Sequence, residues 1–67
     1  MRKISVIIAG RHATSICLEE EFYEELKKIA NNRNISLNAL VTEIDKYREK
    51  ENLSSAIRVY ILKHLQH

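Results

Sequence analysis

The sequence predicts a mostly helical domain in which a short β-strand leads into three helices. Three observations carry that expectation. The stretch "HATSICLEEEFYEEL", starting at His12, changes its apolar spacing from every second residue (Thr14, Ile16, Leu18) to helical spacing (Phe22, Leu26, Ile29, Ala30). Two further runs at helical spacing each follow a residue suited to capping a helix, Ser36 and Asn52. The chain contains one Gly and no Pro, so little interrupts these elements.

Each element follows from its residues. Over 13–18 the alternation turns Thr14, Ile16 and Leu18 to one face and Ala13, Ser15 and Cys17 to the other. Helix one is expected over 20–33, with early glutamates and the later Lys27, Lys28 and Arg33 suiting the helix dipole. "NNRN" ends it, with Asn34 as a left-handed stop. Helix two is expected over 37–50, carrying Leu37, Leu40, Val41, Ile44 and Tyr47 on one face, its charged end "KYREKEN" prone to fray. Helix three is expected over 53–65, with Leu53, Ala56, Ile57, Tyr60, Ile61 and Leu65 in one stripe and Val59 and Leu62 beside it. Residues 1–11 are either an extra strand or an arm. "KISVII" folds back on 13–18 through a turn at Gly10, or orders only on a partner.

At 67 residues the chain is a single domain over 1–67. A domain this small buries only about 60% of its unfolded surface and usually needs a disulfide, a metal or a partner. Cys17 is the sole cysteine, which excludes an internal disulfide and a paired-cysteine zinc site. A partner chain remains, and the strand raises the same need, since a ribbon strand requires a neighbour for its ladder. The economical arrangement is an intertwined homodimer in which identical strands pair antiparallel about a two-fold axis above helices from both chains. No run approaches the roughly 20 apolar residues of a membrane span, so no membrane partner is expected and the chain reads as soluble and cytoplasmic. The formal net charge of +2 is unevenly placed. Arg2, Lys3 and Arg11 precede residue 19 without an acid among them, and Glu19, Glu20, Glu21, Glu24 and Glu25 follow. The strand region is therefore basic, and the start of helix one would repel DNA.

Strand, helix, capped turn and helix, in "TSICLEEEFYEEL" and "ISLNALVTEI", resemble the ribbon-helix-helix family of the Arc/MetJ type. The tail "NLSSAIRVYIL" and the leading V-x-I-x-G-like stretch are similar to a short bacterial subgroup with an added C-terminal helix. The resemblance spans about Lys3 to Leu65 and implies a homodimeric repressor or other transcription regulator, its intermolecular antiparallel ribbon lying in the major groove of duplex DNA. It implies base-facing positions at Ala13, Ser15 and Cys17, and a phosphate grip at the start of helix two, near Ser36, Leu37 and Asn38. Helix N-termini bind anions on physical grounds as well. Arg2, Lys3, Arg11 and His12 are expected to supply charge. Base-reading strands usually carry Arg, Lys, Asn, Gln or Thr; of the three positions here only Ser15 is an ordinary reader, and Ala13 offers at most contact with a thymine methyl.

The other reactive residues carry less. Cys17 reads as a small tolerated residue rather than a redox switch. His12, His64 and His67 lack the spacing and carboxylates of a metal site. No base is placed beside a nucleophile, so neither catalysis nor a cofactor is expected. Tyr23, Tyr47 and Tyr60 read as core edges. The rival to DNA binding is a protein-interaction module, antitoxin-like, that grips a partner protein through the wide apolar face of helix three. With no tail after that helix, the antitoxin version is the weaker expectation.

Overall fold

The computed structural model describes residues 1–8, 12–48 and 52–66. Two strands, β1 (Arg2–Ile8) and β2 (His12–Leu18), are followed by α1 (Glu20–Asn32), α2 (Leu37–Tyr47) and α3 (Leu53–Leu65). The strands pair antiparallel with Ser5 opposite Ser15, Lys3 opposite Cys17 and Ile7 opposite Ala13. Of the two readings open for the leading segment, a strand folding back as a hairpin is the one found. The proposed turn at Gly10 lies outside the described residues.

The hairpin changes the argument about the partner. One edge of β2 receives its ladder from β1 of the same chain. The core also closes within that chain. Val6, Ile16 and Leu18 of the sheet pack on Leu26, Ile29, Leu40, Val41, Ile57 and Ile61 of the helices, and all are buried. The expected sharing of these side chains across a two-fold axis is therefore not needed to bury them.

The caps explain where the helices begin and end. Glu19 precedes α1 without a side-chain cap bond, and acidic Glu20 and Glu21 occupy the first turn, where the dipole favours them. Asn34, at φ 56°, makes the left-handed stop expected of it. The last turn of α1 holds no basic residue. Lys27 and Lys28 instead pair one turn back with Glu24 and Glu25, at 3.4 and 3.5 Å. Ser36 Oγ accepts from the Ala39 amide at 3.0 Å and Asn52 Oδ1 from the Ser55 amide at 2.9 Å, so both residues expected to cap do so.

Three expectations about the helices need correction. Helix two, expected to reach residue 50, ends at Tyr47, because Arg48 turns to extended backbone at ψ 149°; residues 49–51 are outside the described set. Tyr47, placed on the buried face, is 74% exposed at this early end. Leu65, placed in the core stripe of α3, is 56% exposed in the helix's last turn. Val59 and Leu62, read as lying off the stripe, are also exposed.

Candidate nucleic-acid interface

The hairpin has one buried and one exposed face. Ile4, Val6, Thr14, Ile16 and Leu18 turn toward the helices, and period-two alternation turns Lys3, Ser5, Ile7, Ala13, Ser15 and Cys17 the other way. All six of these are exposed. The three positions that the sequence assigned to base contact thus form one row, and β1 lays a second row beside it. Ser5 and Ile7 were missed by the sequence reading. The alternation in "KISVII" held the signal, but only the register with β2 makes them neighbours of Ser15 and Ala13.

The two edges of the sheet differ. In an antiparallel pair, alternate residues point their N–H and C=O away from the partner strand. The Ile7 amide points outward to Asn38 Oδ1 at 3.2 Å. The Cys17 carbonyl points outward and accepts from Arg58 Nη2 at 3.5 Å. Since Ile7 faces Ala13 and Cys17 faces Lys3, the same alternation directs the backbone groups of Ala13, Ser15 and Cys17 to the outer edge of β2. The β1 edge is thus closed at Ile7 by the start of α2. Beside β2 runs an open groove, walled on the far side by Asn52, Ser54 and Arg58 at the beginning of α3.

The charged side chains divide by face. Arg2 shares the inner register with Leu18; its guanidinium lies 4.5 Å from the centre of the Tyr23 ring and 3.4 Å from Glu20 Oε1. Lys3 stands on the outer face, and no ion pair among the described residues involves it. His12 is exposed at the start of β2. Arg11 lies outside the described residues, as does His67. At the start of α2 the side chains of Ser36 and Asn38 already serve as acceptors for Ala39 and Ile7, so any anion there meets the backbone amides of the first turn.

Two ion pairs hold the frame beneath. Arg58 Nε donates to Glu19 Oε1 at 2.8 Å, tying α3 to the junction of β2 and α1. That bond holds the Glu19 carboxyl below its ordinary value of 4.5. Arg33, just past α1, donates from Nη2 to Glu43 Oε1 at 3.0 Å and from Nη1 to Tyr60 Oη at 3.4 Å, so one guanidinium joins three helices. It depresses the Glu43 carboxyl, and its own ionisation is pushed further up by the same bonds. Neither pair was foreseen, because each joins residues far apart in the chain. No group of three or more His, Cys, Asp or Glu among the described residues could hold a metal ion. No helix among them is long and apolar enough to cross a membrane.

A β-ribbon with one exposed face, carried on capped helices, defines a class of small binding domain rather than a pocket for a small molecule. The chain belongs to the ribbon-helix-helix domain family, which it matches over residues 1–65. Members of that family are generally DNA-binding transcription regulators. No curated protein and no solved structure matches the chain.

Proposed function

We propose that this protein is a DNA-binding transcription regulator that acts as a homodimer, with β2 of each chain at the centre of the contact surface. The observation that carries the reading is the open edge of β2. Its short, uncharged Ala13, Ser15 and Cys17 send side chains to the exposed face and backbone groups to an edge that no strand of the chain pairs with, where Arg58 reaches the Cys17 carbonyl at 3.5 Å. A second copy fits that edge by symmetry. Antiparallel pairing centred on Ser15 sets Ala13 against the partner's Cys17 and gives the outward N–H and C=O groups mutual acceptors and donors, with the Cys17 carbonyl sharing its second lone pair or exchanging its long bond from Arg58. No like charges meet in this register.

On DNA, Ser15 is the side chain able to hydrogen-bond a base edge, and Ala13 offers its methyl to thymine. Lys3 and His12 supply charge from the described residues, and Arg11 adds another next to His12 in the sequence. Arg2, held against Tyr23 and Glu20, serves the fold first. The amides at the start of α2, next to Ser36 and Asn38, supply an anion grip. With few hydrogen-bonding readers, affinity depends mainly on phosphate contacts and is strongly salt-dependent.

The test is a binding selection on random duplex DNA at two salt concentrations. Two-fold symmetry predicts enrichment of palindromic sites, with affinity falling as salt rises. Absence of binding at the lower salt would replace this reading with that of a protein-interaction module, for which the exposed Val59 and Leu62 of α3 are the natural surface.

A further inference from the structure

From the width of the paired sheet we infer that β1 is a phosphate-gripping strand, running along the walls of the groove while β2 alone meets the bases. This rests on the homodimeric DNA-binding reading given above. Pairing through the β2 edges gives the strand order β1, β2, partner β2, partner β1. Neighbouring strands lie about 4.8 Å apart, so the two β2 strands are about 5 Å apart and the two β1 strands about 14 Å apart. The major groove is about 12 Å wide. The central pair fits within it; the outer pair does not, and comes to lie over the sugar-phosphate walls.

The side chains that β1 sends to that face suit the position. Lys3 is a point charge with no ion pair among the described residues, and Ser5 carries a hydroxyl able to donate to a phosphate oxygen. They stand directly across from Cys17 and Ser15, so two of the three central residues have a flanking donor one strand outward, while Ala13 faces the apolar Ile7. Arg2 points to the other face, which makes Lys3 the only cation that the described part of β1 presents to DNA. The N-terminal strand thus widens the contact surface beyond the two strands that fill the groove, and it adds affinity without adding a base reader.

Labelled random duplexes, titrated with the full-length chain over a salt series, separate the roles. Each phosphate contact contributes about −0.9 to the log–log salt slope. Lys3→Ala is expected to flatten the slope by about two per dimer and to weaken all sequences by one common factor. Ser5→Ala should weaken all sequences equally without changing the slope. The sequence enriched by wild type should survive both substitutions and change with Ser15→Ala. A changed enriched sequence in Lys3→Ala would place β1 inside the groove as a reader, and an unchanged slope would place it off the DNA; either overturns the inference while leaving DNA binding intact. If wild type shows no salt-dependent binding at all, the functional reading fails and this inference with it. Lys3 and Ser5 are exposed, so unchanged helical circular dichroism should accompany each variant.

Discussion

Ending the chain after Arg48 should abolish folding. The deletion removes Leu53, Ile57 and Ile61, which are 7%, 0% and 0% exposed. Burying an aliphatic side chain of this size stabilises by roughly 1.5–3 kcal/mol, so these three together supply about 5–9 kcal/mol. A domain of this length, at about 0.05–0.15 kcal/mol per residue, holds only about 3–10 kcal/mol in total. The deletion also removes the contacts of α3 with β2 and the Arg58 bond to Glu19. Leu65 contributes little to the loss, because it is exposed. Circular dichroism should show a weak, non-cooperative helical signal at every temperature, and sedimentation an expanded chain. The milder Ile57→Ala should fold but lose about 2–5 kcal/mol, by the usual cost of a buried cavity. A truncated chain that keeps a cooperative melt within a few degrees of wild type would refute the reasoning and make α3 an appendage available to a partner.

Four further outcomes are expected. Leu18→Asp should unfold the protein, since its carboxylate would sit where the side chain is now fully buried, and wild-type helicity in this variant would mean the strand's faces are reversed. Ser15→Cys combined with Cys17→Ser should form a disulfide-linked dimer under mild oxidation, because directly opposed residues lie about 5.5 Å apart between Cα atoms. Wild type should not, because the register separates the two Cys17 residues by about 14 Å; a wild-type cross-link would exclude a Ser15 centre. Glu19 and Glu43 have lowered pKa values, so the stability they add is fully present above 4.5 and lost as pH falls below it. Melting temperature should therefore drop in that acid range, and Glu43→Gln should start lower near neutrality with a shallower acid drop. Asn38→Ala should cost about 0.5–1.5 kcal/mol, by loss of the bond that closes the β1 edge at Ile7, read from a denaturant midpoint.

What could be read from sequence was what neighbouring residues decide. Ser36, Asn52 and Asn34 act within three or four positions of themselves, so their roles as caps and stop are written locally. The two faces of β2 follow from alternation alone. The leading strand was legible only as one of two outcomes, because KISVII is equally apolar in a hairpin and in an arm; the hairpin rests on contacts distant in sequence, Val6 in the core and Ile7 donating to Asn38 some 31 positions away. The end of α2 lay beyond sequence reading because Lys46 and Arg48 are good helix formers, whereas the backbone turns extended at Arg48 with its amide on the Asp45 carbonyl. At the interface, sequence found Lys3 but ranked it with Arg2. Once residues 2–8 form a strand, alternation turns the two to opposite faces.

The hairpin has a kinetic consequence. Because β2 finds its first partner a few residues away and the core closes on one polypeptide, folding should be first order, with a rate independent of protein concentration. Nascent chains can complete it singly, before any other copy has been synthesised. What they then expose is a strand rim bearing Ala13, Ser15 and Cys17, with neither a proline nor a charged side chain among those three to deter promiscuous β-pairing. Overproduced protein should therefore form strand-linked oligomers well before it unfolds.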